Sequence, residues 1–213
     1  MRPDSASCVH ALLRVSDLEA LMWEMPRPDW AWQSLQRAPW VVVRRSVPRA
    51  GLWPVGVRGA SRMQRCAAWL PDRAMAACVT PQSLAANRAW RQLRDGDANP
   101  MVAVLEEVAE VLAAHGHGKR WGPVGSVGFE LASALTCTTP DSDLDLVLSA
   151  DQPISRIEAA GLHAALSKLS VRIDMLLETP HGAVALSEYA RAEGLMLLRC
   201  AGGPRLVSGP WTV

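Results

Sequence analysis

At 213 residues, 49% of them hydrophobic and 20% charged, the chain is long enough to bury a sizeable core as one large domain or two small ones. A net charge of +1 conceals a split: residues 1–100 hold 14 Arg against 8 acidic residues (+6), and residues 101–213 hold 8 Lys and Arg against 13 acidic residues (−5). No apolar run approaches the ~20 residues of a bilayer span, the N-terminus lacks the clean apolar stretch of a signal peptide, and five cysteines without a CxxC pair argue against a disulfide framework or zinc centre and for a reducing cytoplasm.

In chain order, "VHALLRVSDLEALM" (9–22) places apolar residues at helical spacing and predicts an amphipathic helix, which the two prolines of "PRPDWAW" then end. "PWVVVRR" (39–45) and "LWPVGVRG" (52–59) read as strands, the first from its β-branched run and the second from the glycines that bound it. "ASRMQRCAAWL" (60–70) predicts a helix carrying Arg62 and Arg65 on its first turns. "RDGDANP" (94–100) is polar and contains Gly and Pro, so it marks the expected boundary between a basic lobe, 1–95, and a second domain, 96–213. Seven of the nine tryptophans precede residue 100 and are expected to pack the core of that lobe rather than to form a base-stacking platform.

"PMVAVLEEVAEVLAAHGHG" (100–118) is the clearest helix, with Gly116 as its stop and His115 and His117 in a solvent-exposed turn. "KRWGPVGS" predicts a strand and turn, residues 127–135 a helix, and "DSDLDLVLSA" a strand by its alternation. A helix over "PISRIEAAGLHAALSKL", a strand over "SVRIDMLLET", a helical "EYARAEG" and a closing hairpin from "LMLLRCAG" and "GPRLVSG" complete the pattern. The fold class is α+β: a small N-terminal α+β lobe, then a domain with a mixed sheet flanked by helices.

Two aspartates at i and i+2 on a strand, Asp143 and Asp145, share a face, with Leu144 and Leu146 on the other. Adjacent carboxylates repel unless a cation or proton lies between them. Gly125-Ser126 opens the preceding helix, where backbone N–H groups and the helix dipole suit a phosphate oxygen. Asp174 stands alone among apolar residues on a later strand and becomes a third carboxylate if that strand pairs beside the first. Three carboxylates beside a phosphate cradle suit two Mg²⁺ ions on a triphosphate, Asp143 and Asp145 holding both, and Asp174 holding one and accepting the nucleophile's proton. Other readings of these residues fail. An EF-hand loop from Asp141 meets Leu146 and Gln152 where Gly and Glu belong, GxxxxGK[ST] is absent, and "GPVGSVG" has the wrong glycine spacing for a dinucleotide site. His181 is a further candidate for touching substrate, and Cys137, with no partner base, reads as a buried or loop thiol.

The pattern Gly-Ser, Asp-Leu-Asp, Ile-Asp-Met resembles the signature of the nucleotidyltransferase superfamily, with a slightly longer gap, sixteen residues, between Ser126 and Asp143. "PWVVVRR", "PVGVRGASRMQR", "GSVGFELAS", "SDLDLVL" and "ETPHGAVALSEYAR" together resemble the phosphoribosyl-dephospho-CoA transferases of malonate decarboxylase systems, the holo-acyl-carrier-protein synthases, from about Pro39 to the C-terminus. The resemblance implies transfer of phosphoribosyl-dephospho-CoA from 2′-(5″-triphosphoribosyl)-3′-dephospho-CoA to a serine of an apo acyl carrier subunit, with release of pyrophosphate. It makes Gly125 and Ser126 the triphosphate cradle, Asp143, Asp145 and Asp174 the metal ligands, and Arg58, Arg62 and Arg65 cations able to meet substrate phosphates. No membrane or nucleic-acid partner is expected. The alternatives are another nucleotidyltransferase acting on a small-molecule or protein hydroxyl, or a non-catalytic antitoxin-like module on the same fold.

Overall fold

The computed structural model describes residues 8–61, 63–92, 100–139 and 142–212. The chain forms two compact units, Met1–Thr80 with Ala132–Leu135, and Pro81–Leu131 with Thr136–Val213. The expected boundary stretch, 94–100, lies almost wholly outside the described residues.

The first unit carries strands β1 (Leu12–Val15), β2 (Met22–Trp23), β3 (Trp40–Val43), β4 (Leu52–Arg58), β5 (Arg65–Pro71) and β6 (Met75–Val79), with helix α1 (Asp29–Arg37) between β2 and β3. The sheet is antiparallel throughout, in the order β2-β5-β4-β3-β1-β6. One face is the core: Leu13, Val41, Val43, Val55, Val57 and Leu70 pack under Ala31 and Leu35 of α1. Each of these leucines and valines contributes about 1.5–3 kcal/mol on burial.

The sequence expectation of a helix over 9–22 is corrected here. "LLRV" is a strand, a 3₁₀ turn follows at Leu18–Ala20, capped by Asp17 Oδ1 accepting from Glu19 N at 3.1 Å, and Met22–Trp23 pairs with β5. A short continuous apolar run satisfies both periodicities, and here β1 lies between β3 and β6 with Leu12 and Leu13 buried on opposite faces. Residues 60–70 are likewise not a helix. β4 and β5 form a hairpin from Leu52↔Pro71 to Arg58↔Arg65, closed where Gly59 N donates to Gln64 O at 2.9 Å. The expectation for the tryptophans holds in part: Trp53 is buried in this core with Trp23 and Trp30 half-buried against it, whereas Trp90 belongs to the core of the second unit.

The second unit begins with α2 (Pro81–Ala86), followed by α3 (Pro100–Ala103), α4 (Leu105–Ala114), β7 (Trp121–Pro123), α5 (Gly125–Ser133) and β8 (Leu144–Ser149). It continues through α6 (Arg156–Leu166), β9 (Ile173–Thr179), β10 (Gly182–Ala185), α7 (Leu186–Arg191), β11 (Met196–Cys200) and β12 (Gly203–Val207). Its sheet runs β12-β11-β10-β9-β8-β7 and is mixed, because β8 and β9 are parallel while the other pairs are antiparallel. The parallel pair is joined across α6, a crossover helix begun by Ser155, whose Oγ accepts from Glu158 N at 3.1 Å. Leu144, Leu146, Leu148, Met175 and Leu177 turn one face of the sheet toward Leu105, Val108 and Leu112 of α4 and Ala159, Leu162 and Leu166 of α6. The opposite face of β8 and β9 is therefore the one that carries the acidic residues. Both units confirm the α+β class.

Gly116 ends α4 at φ +77°, but His117 is buried rather than exposed, 2% accessible. Its Nδ1 accepts from Arg120 Nη2 at 2.9 Å, which puts the neutral ring's proton on Nε2, 3.1 Å from Glu158 Oε1 on α6. Burial pushes the imidazole below its ordinary value, and the Arg120 charge adds to this while Glu158 opposes it. A depressed folded-state value means that the unfolded chain takes up the proton first, so stability is full above the ordinary imidazole range and falls as pH drops below it. Urea unfolding of the wild type should weaken from about pH 7.5 to about pH 5.5, and His117→Gln should flatten that dependence. An equal slope in both proteins would remove His117 from the account.

Candidate active site

The chain enters the site from β7. Val124 N donates to Asp145 O at 2.9 Å, which ties the start of α5 to β8, and Gly128 N donating to Val124 O at 3.0 Å opens the helical turn. Gly125 sits at φ +61°, and a Cβ placed on it would lie 2.1 Å from Asp145 Oδ2. Only glycine lets the Asp145 carboxylate lie against the turn. Helix α5 starts at Gly125, two residues earlier than the sequence predicts, so Gly125 and half-buried Ser126 belong to its first turn. The N–H groups of a first turn have no intrahelical acceptors, and the helix dipole favours an anion there.

β8 and β9 pair in parallel with Leu144↔Ile173, Asp145↔Asp174 and Leu146↔Met175. Residues in register on parallel strands share a face, so Asp174 stands beside Asp145, and Asp143, two residues before Asp145, falls on that face as well. The sequence expectation that a later strand would bring Asp174 to the pair agrees with this register. Asp143 and Asp145 are half-buried, whereas Asp174 is exposed at the open edge.

Arg172 completes the group. Leu144 N donates to Arg172 O at 2.9 Å, which aligns Arg172 with Asp143 at the same strand ends. Its Nε lies 3.8 Å from Asp143 Oδ1 and its Nη2 3.3 Å from Asp174 Oδ2. Among the described residues, no three His, Cys, Asp or Glu side chains close into a ready-made metal cage. The Asp143 and Asp174 carboxylates are bridged instead by the guanidinium. The donor set still fits a hard divalent ion: three carboxylates on one face of two neighbouring strands, all oxygen ligands, in contact with solvent. Solvent-exposed ion pairs such as those of Arg172 are worth about 0–1 kcal/mol each.

Cys137 and Thr138, after α5, are held by Glu130, buried within α5 at 5% accessibility. Its Oε2 accepts from Cys137 N at 3.0 Å, Thr138 N at 3.1 Å and Thr138 Oγ1 at 2.8 Å. The Cys137 thiol donates to Ser126 O at 3.4 Å, a loop role that agrees with the sequence reading. Glu130 and Arg172 escaped the sequence analysis. Both left a signal: a lone Glu inside the apolar helix "SVGFELAS", and an Arg two residues before Asp174, hence on its face.

The arginines named from sequence lie in the first unit. Arg58 and Arg65 pair across the β4–β5 hairpin, and Arg65 Nη1 donates to Ser61 O at 3.1 Å and Gln64 O at 3.0 Å, folding back on its own turn. Arg62 lies outside the described residues. His181 is exposed in the turn after β9, at the opposite end of that strand from Asp174, beyond the roughly 17 Å that the strand runs from Asp174 to Thr179. That removes it from the carboxylate cluster.

Comparison with known proteins gives a consistent result. The family described as "Phosphoribosyl-dephospho-CoA transferase MdcG C-terminal domain" matches residues 83–210, and its N-terminal counterpart matches residues 8–81. The chain is 41% identical over 211 residues to a phosphoribosyl-dephospho-CoA transferase of Pseudomonas syringae pv. tomato, covering 90% of this chain and 91% of that protein. It is 39% identical over 186 residues to the enzyme of that name from Azotobacter vinelandii, covering 86% and 85%. With the one from Klebsiella pneumoniae it shares 37% over 203 residues, 95% of each chain. No solved structure matches the chain at a significant level.

Proposed function

The chain belongs to the phosphoribosyl-dephospho-CoA transferase family, and from that premise we propose that it transfers phosphoribosyl-dephospho-CoA from 2′-(5″-triphosphoribosyl)-3′-dephospho-CoA to a serine of the apo acyl carrier subunit of malonate decarboxylase in the cytoplasm. The acceptor Oγ attacks the phosphorus attached to the ribose. A phosphodiester bond forms, the bond to the outer two phosphates breaks, and pyrophosphate leaves. The observation that carries this reading is the contact of Gly125 with Asp145, itself in register with Asp174: a phosphate-suited helix start and a carboxylate face share one strand edge.

Each residue then has a task. The first turn of α5, from Gly125 and Ser126, holds triphosphate oxygens and fixes the reacting phosphorus over the carboxylates. Asp143 and Asp145 would hold two Mg²⁺ ions jointly and Asp174 one of them; such ions offset the charge that builds on the leaving pyrophosphate. Asp174 is the most exposed of the three carboxylates, which suits it to meet an incoming protein hydroxyl and take its proton. Arg58, Arg62 and Arg65 are proposed to meet the phosphates of the dephospho-CoA portion. Glu130 keeps the loop into β8 in place without touching substrate.

The test is intact-mass spectrometry of the apo carrier subunit incubated with this protein, Mg²⁺ and triphosphoribosyl-dephospho-CoA. The carrier should gain one phosphoribosyl-dephospho-CoA unit on serine, and chelation of the metal should stop the gain. Pyrophosphate release without carrier modification would redirect the reading to another hydroxyl acceptor. Absence of both products would end it.

A further inference from the structure

The carboxylate face has four corners rather than three. The parallel register sets Asp145 beside Asp174, and the Leu144 N to Arg172 O bond sets Asp143 beside Arg172. With a period of two along each strand, all four side chains fall on one face: three anions and one cation. Arg172 is the odd member, and its side chain is 72% accessible. Among the described residues its side-chain partners are two carboxylates that the proposed reaction needs for other purposes, at 3.8 Å and 3.3 Å. A guanidinium held by two ion pairs at the surface is cheap to release. It is also a planar fork that matches phosphate oxygens as well as it matches carboxylate.

We propose that Arg172 is an exchangeable counter-cation: it bridges Asp143 and Asp174 before metal arrives and turns to the outer phosphates of the bound triphosphate once metal has taken the carboxylates. The inference rests on the metal-and-triphosphate reading above and adds a residue to it. The charge balance supports the exchange. Three carboxylates and Arg172 sum to −2. Two divalent ions make the face +2, so the guanidinium is repelled from its former place while an anionic triphosphate is attracted to the same edge. Arg172 therefore competes with metal in the absence of substrate and supports substrate in its presence. Nothing in the backbone has to move, because the Arg172 carbonyl stays bonded to Leu144 N.

The test uses the full chain with Mn²⁺ as the metal probe, read by the electron-spin-resonance signal of the free ion, and inorganic tripolyphosphate as the ligand probe. Without ligand, Arg172→Gln should bind Mn²⁺ about five-fold tighter than the wild type, the scale of releasing two exposed ion pairs. With saturating Mn²⁺, the same variant should bind tripolyphosphate about ten-fold more weakly, the scale of one lost charged hydrogen bond. Arg172→Lys, which keeps the charge, should stay near the wild type for Mn²⁺. Thermal unfolding of the metal-free Gln variant should match the wild type. Equal or weaker Mn²⁺ binding by Arg172→Gln, with a lowered melting temperature, would make Arg172 a brace between strand ends and overturn the proposal. Unchanged tripolyphosphate binding would overturn its second half. Asp145→Asn separates the two readings: if it binds Mn²⁺ as the wild type does, or if the wild type binds none, the metal reading fails and this inference falls with it. If only Arg172→Gln departs from expectation, the metal reading stands.

Discussion

Asp145→Asn should reduce the proposed transfer to a carrier protein by about three orders of magnitude, while the protein stays folded. Asp145 is the carboxylate that everything else in the site is built around. Its backbone carbonyl accepts from Val124 N, its side chain lies against Gly125, and its neighbour across the parallel pair is Asp174. Asparagine keeps the shape that fits beside Gly125 and removes the charge. The helix-packed face of β8, Leu144, Leu146 and Leu148, is untouched, so stability should change by less than about 1 kcal/mol. Losing one negative charge from a cluster of like charges also relieves repulsion, which gives the variant a melting temperature equal to or above that of the wild type. Rates of mass gain on the carrier, paired with thermal unfolding, separate the two effects. A variant within ten-fold of the wild-type rate would place the reacting phosphorus away from β8.

How far the sequence alone reaches depends on the kind of interaction that fixes each part. β8 and β9 were legible because a charged residue alternates with leucine or methionine, and one face must be dry for α4 and α6 to pack on it. The helix over 156–166 and the closing β11–β12 hairpin were legible for the same reason. β1 and β5 were misread because "ALLRV" and "CAAWL" are short apolar runs that fit helix or strand, and long-range pairing in a six-stranded sheet decides between them. β10, "GAVA", carries almost no side-chain signal and exists because β9 and β11 flank it. The three aspartates and the glycine turn could be named in advance because their chemistry is unusual for their setting. Arg172 and Glu130 leave only a faint signal, since each owes its role to partners that the strand register and the residues after α5 bring close. His117 shows the limit of local polarity: a histidine beside two glycines reads as a surface turn, yet it lies in the interior, with Arg120 bonded to Nδ1 and Glu158 3.1 Å from Nε2.

Gly125→Ala tests whether the turn and the carboxylate are one device. The added methyl would stand 2.1 Å from Asp145 Oδ2 and 2.8 Å from its Cγ, far inside contact distance. Either the carboxylate turns away or the backbone leaves φ +61°. Keeping a left-handed alanine costs about 1–2 kcal/mol, and shifting a reacting group by about 1 Å costs about a hundred-fold in rate. The expected result is a rate lower by about a hundred-fold with a loss of stability of about 1–2 kcal/mol. Gly161→Ala is the matching control: it sits exposed in the middle of α6 with nothing within 4 Å of a new Cβ, and it should raise stability by about 0.5–1 kcal/mol and leave the rate alone. The contrast isolates the cause. If Gly125→Ala loses stability but keeps its rate, the turn is a structural joint between β7 and α5, and the phosphates are held elsewhere. If it loses rate far more than stability, the methyl has disturbed the placement of Asp145 against the first turn of α5, as the proposed chemistry requires.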